Sequence, residues 1–425
     1  MNFDRMRALL LDQAIRGELV PQLAEEGVVE IGAIAPEAFK LPKTWKWLTL
    51  KSLVIPTKQI IPEESFTYLD VSSIKNFQID EIKRLDPSNA PSRARKVVQP
   101  GMVLFATVRP YLKNICVSPE LPGQVIASTA FATMTCSKDL NNRYLFYFLR
   151  SDFFTDLVKS KQRGISYPAI SEKDFYALPV PVPPLDEQIR IVAKLDDAFA
   201  EIDRAEKAYE ELQTLAGVLR GQILQEAIQG KLVPQLVSDG VTKQIAEAPE
   251  EVPFDIPNTW SWIRGEELAV KRKTIDPSTL TNDEIELWSI PAYDAGVAEK
   301  VSPGDIGSSK KVVQAGDVLL AKIVPHIERV WIVSESANSL MKLASTEWLV
   351  YASELFLPEF MGLLFRSPYF RTKMMESVSG MGSLKRANPR TLAKVWLPVP
   401  PIKEQERIVI KVETLLKQVN LLLTK

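Results

Sequence analysis

The chain has 425 residues, too many for one hydrophobic core, and ~100–200 residues per domain gives two or three domains. With 46% hydrophobic and 25% charged residues it is neither disordered nor fibrous, and two cysteines, Cys116 and Cys136, exclude a disulfide framework or a four-ligand zinc site. A net charge of −1 excludes indiscriminate attraction to nucleic acid, so any DNA binding must come from local basic patches or from a partner.

The N-terminal segment, MNFDRMRALLLDQAIRG, carries Asp4, Arg5, Arg7 and Asp12 and makes a poor secretion signal. No uncharged apolar run reaches the ~18 residues of a membrane helix. A cytoplasmic setting without a membrane partner is therefore expected. Residues 1–27 are read as a helical segment and 28–180 as a first globular domain. Residues 181–240 form a helical connector, 241–397 a second domain, and 398–425 a terminal helix.

The first domain holds short β-rich runs broken by Pro and Gly, VVQPGMVLFATV and VIASTAFATM, and a helical stretch, YLFYFLRSDFFTDLVKS. The connector starts after Pro183 and Pro184 with Asp186 and Glu187 in its first turn, and Gly230 stands where a helix-ending glycine belongs. Leu195, Phe199, Ile202, Ala205, Tyr209, Leu212, Ala216, Leu219 and Ile223 form one apolar stripe at spacings of three and four. Asp186–Gln229 spans 44 residues, ~66 Å at 1.5 Å per residue. Glutamates and lysines on its other face argue for a solvent-facing helix rather than one buried in a core. The second domain repeats the pattern with VVQAGDVLLAKIV, VWIVSE and FMGLLFRSPYFRTKMMES, and segment 402–424 has the stripe of a helix that would pair antiparallel with the connector.

The halves are copies of one another. Residues 7–27 match 220–240 at 11 of 21 positions, PKTWKW returns as PNTWSW, KVVQPGMVL as KVVQAGDVL, and PVPPLDEQIRIV as PVPPIKEQERIV, at offsets of 213 to 217. In mid-chain PPLDEQ runs on into QGKLVPQL, whereas PPIKEQ is followed by few residues and its continuation, RGELVPQL, stands at the N-terminus. The duplication thus predicts a pseudo-two-fold, circular arrangement with the chain ends side by side. The fold class is α+β: two similar mixed domains separated by long antiparallel, coiled-coil-like helices.

Basic residues gather on loops of both copies. Lys83, Arg84, Arg93, Arg95, Lys96, Arg109 and Lys113 face one acid, Asp86, and Lys159, Lys161 and Arg163 precede Gly164. In the second copy Lys271, Arg272 and Lys273 form a run, and Lys385, Arg386 and Arg390 follow Gly380 and Gly382. Phosphate and base-edge contacts call for such side chains on such loops; singly, each also fits a solvated charged face.

LPKTWKW with YLDVSSI, PGMVLFATVRPYLKN, ASTAF, GISYPAIS and PVPPLDEQIRIV, with the second-copy IPNTWSW, WSIPAYDAG, AGDVLLAKIVP, ASTEW and PVPPIKEQERIV, resemble the DNA-specificity subunit of type I restriction–modification systems. The resemblance covers essentially the whole chain. It implies two target-recognition domains, each reading half of a split sequence on double-stranded DNA, and helices that space them and dock DNA methyltransferase subunits, two being expected, with a restriction or translocase subunit as a further partner. DNA contact is then expected at Arg93, Arg95, Arg109, Tyr111, Lys113, Ser128, Thr129, Lys161, Arg163, Gly164, Ser166 and Tyr167. VPHI replaces RPYL and SLKRANPR replaces SYPAIS in the second copy, which points to Lys271, Arg272, Lys310, Lys322, His326, Lys385 and Arg386 and to a different half-site. As the lone histidine, His326 fits a structural role as well. Partner contact is expected at Leu185, Glu187, Gln188, Glu404 and Gln405.

No chemistry of the chain's own is legible. A base-flipping methyltransferase needs an Asn/Asp-Pro-Pro-aromatic motif, whereas Asp86-Pro87-Ser88 and Asn388-Pro389-Arg390 have one proline and no aromatic. No Walker A loop or histidine–cysteine cluster is present. S-adenosylmethionine and ATP are expected on partner subunits only, and no metal is expected. The alternatives are a modification enzyme with an unrecognised site and a scaffold that no longer reads DNA.

Overall fold

Strand Ala94–Val98 alternates buried and half-buried side chains, and Val103–Ala106 is buried throughout. The first therefore has one face on a core and the second lies inside one. The computed structural model describes residues 2–30, 38–164, 166–242, 249–335, 340–380 and 385–424. It divides into two units, Met1–Tyr209 and Glu210–Lys425, with the boundary inside one helix.

In the first unit, strands Lys83–Leu85, Phe66–Leu69, Gln124–Ser128 and Ala94–Val98 make one sheet in that order; the middle pair is parallel and the outer pairs antiparallel. Strands Val54–Pro56, Phe131–Cys136, Val103–Ala106 and Ile115–Val117 make a second, antiparallel sheet. The chain passes between the sheets at four places, 57–65, 99–102, 118–123 and the tight turn Thr129–Ala130. A ribbon of Lys46–Thr49 against Pro179–Val182 closes the domain. The second unit repeats this connectivity with a five-stranded sheet, a three-stranded sheet and the ribbon Ser261–Arg264 against Trp396–Val399.

Each stretch read as one helix is two. Asn142–Arg150 ends at Ser151 and Asp152–Lys161 begins there, as Pro358–Arg366 and Pro368–Glu376 meet at Ser367. Each serine has extended backbone; its Oγ donates to the carbonyl of Phe148 or Leu364 and accepts from the amide of Phe154 or Phe370. One hydroxyl thus serves the end of one helix and the start of the next.

The connector is a single helix, Leu185–Ile228, of 44 residues. Its stripe is buried at Leu195, Phe199 and Ile202 and again at Ala216 and Ile223, but Ala205 and Leu219 are exposed. Two different helices account for this. In the first unit Phe3–Arg16 runs antiparallel to it: Arg7 bonds Asp203 and Glu206, the Phe3 ring packs on Tyr209, and Arg190 pairs with Glu26 beyond the helix end. In the second unit Ile402–Thr424 runs antiparallel to the remainder, with Arg220 bonded to Asn420 and Arg407 to Asp239. The expected antiparallel pair thus holds for the second part of the connector, and the N-terminal helix covers the first.

Both helices of the RALLLDQAIRG/RGQILQEAIQG repeat end on a left-handed glycine, Gly17 at φ 74° and Gly230 at φ 70°. A Cβ at either would overlap the ring of Pro42 or Pro257. That close approach explains why Pro-x-Thr-Trp recurs with the helix end.

Candidate nucleic-acid interface

The basic loops of the first unit are joined by a short ladder of backbone hydrogen bonds. The amide of Thr107 donates to the Ala130 carbonyl (2.8 Å), that of Ile170 to Thr107 (3.0 Å), that of Arg109 to Pro168 (2.7 Å) and that of Thr129 to Arg93 (2.8 Å). Residues distant in sequence (93, 107–109, 129–130 and 168–170) thereby meet at one junction. Arg109 sits there at φ 49°, a left-handed conformation that disfavours side chains with a Cβ. Its guanidinium lies 4.4 Å over the ring of Tyr167, itself 68% exposed. Among the described residues the buried Arg109 Nε has no hydrogen-bond partner, and the side chain rests on the Tyr167 ring rather than on an acid.

The second unit has the same ladder. Lys322 donates its amide to the Glu347 carbonyl (3.0 Å), Ala387 to Lys322 (2.8 Å) and Val324 to Lys385 (3.0 Å). Val324, at the place of Arg109, also has φ 49°, a costly conformation for a β-branched residue. The strained corner thus belongs to the frame, and the side chain on it varies. The shared KVVQ segment supports the frame from below: the Nζ of Lys96 donates to the Phe131 carbonyl and that of Lys311 to the corresponding Trp348 carbonyl (2.6 Å). Lys96 is neutralised by Glu172. Burial lowers the pKa of Lys311.

Of the residues expected to contact DNA, Arg109, Thr129, Arg163, Gly164, Ser166 and Tyr167 come together at the first junction, and Lys322, Lys385 and Arg386 at the second. Arg93 reaches the first through its backbone while its side chain pairs with Asp70 (3.0 Å). Tyr111 and His326 are exposed on the loops following the two strained corners, and Lys161 and Lys271 are exposed. Arg95 donates to the Ala94 carbonyl.

Four expected contacts have internal roles instead. Ser128 is fully buried, its Oγ accepting from the Ala130 amide within the turn. Lys113 donates to the Arg150 carbonyl (2.9 Å) and pairs with Asp152, fastening the helix junction at Ser151. Arg272 grips Asp317, which is 1% exposed. Lys310 is 9% exposed and turns back onto Ser308. Gly382 and the start of SLKRANPR, like Ile165 in GISYPAIS, lie outside the described residues. Glu347 was not singled out from the sequence. The signal was present, as ASTAF against ASTEW.

Four of the five residues expected to face a partner are likewise interior. Glu187 accepts from Trp45 Nε1 (3.0 Å) and Gln22 Nε2 (3.1 Å), and Glu404 from Trp260 Nε1 (3.0 Å) and Gln235 Nε2 (2.9 Å). Gln188 accepts from the Asn141 amide and donates to the carbonyls of Asp139 and Pro183; Gln405 does the same with Leu357, Leu355 and Pro400. All four are at most 1% exposed. The PPLDEQ and PPIKEQ segments are therefore clamps, each joining helix start, ribbon and helix end. Leu185 is 41% exposed and its counterpart Ile402 37%.

Among the described residues no group of His, Cys, Asp and Glu could hold a metal ion, and no helix is long and apolar enough to cross a membrane. Burial pushes the thiols of Cys116 and Cys136 up to about 12, so both stay protonated.

Residues 118–214 match the family model of the type I restriction modification DNA specificity domain. Over 414 residues the chain is 22% identical to the type I restriction enzyme EcoKI specificity subunit of Escherichia coli K12, covering 90% of this chain and 86% of that protein. The HsdS subunit from Thermoanaerobacter tengcongensis, solved as a crystal structure, is similar with a TM-score of 0.59 and 28% identity, over 91% of this chain and 92% of that one. A chain from structures of complex assembly and conformational transition of a type I R-M system gives a TM-score of 0.70 at 27% identity, over 91% and 93% of the two chains.

Proposed function

We propose, from the premise that this chain belongs to the type I restriction–modification DNA-specificity family, that its two units read the two parts of a bipartite duplex target. The observation that carries this is the duplicated junction: one backbone ladder, present in each unit, bearing Arg109 and Tyr167 in the first and Lys322, Glu347 and Arg386 in the second. A common frame with different polar side chains is what two readers of different sequences require, since base identity is read by the donors and acceptors presented to a groove edge. The helix Leu185–Ile228 contributes to both units; in this reading it sets the gap between half-sites, and its ~66 Å exceeds the ~34–36 Å of one DNA turn.

The chain supplies specificity, and methylation is performed by methyltransferase subunits that carry S-adenosylmethionine; a restriction subunit using ATP is a further partner. Docking involves the helix starts, where Leu185 and Ile402 are exposed at equivalent positions. Converting both to glutamate should weaken methyltransferase association about tenfold per site, the scale of losing one apolar anchor. Co-purification and titration of the two components would measure it; unchanged association would place docking elsewhere.

The central test is co-expression with the methyltransferase subunits and mapping of methylated adenines across a randomised DNA library. A split motif with a fixed gap is the expected result. A single continuous motif would overturn the two-reader model, and methylation without sequence preference would indicate a scaffold.

A further inference from the structure

The ladder lets the two junctions be compared position by position within one molecule. Thr107 corresponds to Lys322, Ala130 to Glu347 and Ala169 to Arg386, because each set is joined by the same backbone pairing: Thr107 to Ala130 and Lys322 to Glu347, with bridges from Val108 to Ala169 and from Ile323 to Arg386. The turn serine is also shared, Ser128 Oγ accepting from the Ala130 amide and Ser345 Oγ from the Glu347 amide, both at 3.2 Å. In the second unit these positions hold a charged cluster. The Glu347 carboxylate receives Arg386 through Nε (3.1 Å) and a terminal nitrogen (3.2 Å), and the Lys322 ammonium lies 3.9 Å away. The first unit builds the same frame from Thr107, Ala130 and Ala169 with no charge at all. The fold does not need the cluster.

A carboxylate on a surface facing DNA is repelled by phosphates unless cations stand beside it, and here two do. Glu347 is one-quarter exposed. A carboxylate has about four lone-pair positions, so the two bonds from Arg386 leave it able to accept more. It sits at the tip of a tight turn, aligned by both neighbours. We propose that Glu347 is a specificity-determining residue of the second unit, accepting a hydrogen bond from the exocyclic amino group of a cytosine in the major groove, with Arg386 and Lys322 positioning it and neutralising its charge. Glutamate accepting from cytosine N4 is an established type of base contact. This assignment rests on the two-reader function proposed above.

A second demand on Glu347 is the half-buried Lys311, whose first-unit counterpart Lys96 pairs with Glu172, while Pro389 stands at the place of Glu172. Lys311 is held by the Trp348 carbonyl, and Glu347 only favours its charge from a distance. The test therefore uses two variants, Glu347→Ala and Glu347→Gln, in the full chain co-expressed with its methyltransferase, with thermal unfolding measured in parallel. The readout is methylation mapped across a randomised library.

Glu347→Ala should relax preference at one base pair of the second half-site by roughly tenfold to hundredfold, leaving the first half-site and the gap unchanged. Glu347→Gln, which both donates and accepts, should shift that position toward adenine. If both variants keep the wild-type motif and only lower methylation uniformly, Glu347 serves the fold or a phosphate contact and the assignment is wrong. If Glu347→Ala unfolds, Glu347→Gln alone decides: an unchanged base preference overturns the proposal. A wild-type chain that shows no split motif would instead sink the two-reader function.

Discussion

Glu187→Ala is expected to destabilise the first unit by about 1–3 kcal/mol, with the second unit affected far less. The carboxylate is 1% exposed and receives the indole N–H of buried Trp45 and the side-chain amide of Gln22. Truncation strands the buried Trp45 indole N–H, at ~1–3 kcal/mol for a buried group left unpaired. It also removes the tie between the connector helix and Gln22, whose amide keeps its bonds to the Gly17 and Val20 carbonyls. Denaturant unfolding followed by Trp45 fluorescence, beside the equivalent Glu404→Ala, would separate the units. Equal loss in both from either variant would contradict the account of two self-contained clamps.

A pH signature accompanies this. Burial pushes the Glu187 carboxyl above its ordinary value, outweighing the two donors that pull it down. The folded state therefore holds the proton more tightly than the unfolded one. The resulting stability is fully present below the unfolded pKa and is lost as pH rises through the folded pKa. Glu187→Gln, which cannot ionise, should flatten that stretch of the pH–stability curve while keeping an acceptor for Trp45.

Arg109→Ala should weaken binding through the first half-site by about 1–3 kcal/mol, roughly tenfold to hundredfold, and relax its preference at one position. The left-handed backbone and the ring of Tyr167 hold the guanidinium in place before any ligand arrives, which lowers the ordering cost on binding. Its fork of donors matches the O6 and N7 of guanine. Arg109→Lys should recover little, because an ammonium lacks both the fork and the planar face that stacks on Tyr167. Methylation mapping with the variant checks this, and equal loss at both half-sites would refute it. Among the described residues no acid pairs with Arg109, so its removal should change stability little.

The duplication, the long connector, its bounds within a residue and the mixed class of the domains were legible in the chain itself. They rest on signals carried by neighbours in sequence: repeats at near-constant offset, apolar spacing of three and four, and glycine after a helix. The break at Ser151 and Ser367 was also written locally, since a serine before Asp-Phe-Phe or Pro-Tyr-Phe is a helix start, but an unbroken apolar run masked it. Acid in the first turn of a helix normally faces solvent, so Glu187 and Glu404 read as surface residues. Only the return of Trp45 and Gln22, or Trp260 and Gln235, across more than 140 positions buries them.

Charge was the least legible property, because the fate of a basic side chain depends on what the fold brings beside it. Lys113, Arg272 and Lys310 were used up by Asp152, Asp317 and Ser308, whereas Arg109 met an aromatic ring and Arg386 an acid on the same frame. The sequence by itself determined that there are two copies of one unit and where their loops diverge. The tertiary structure decided which divergent side chains meet, because the ladder joining positions 107, 130 and 169, and again 322, 347 and 386, is made of backbone hydrogen bonds that no residue identity reveals.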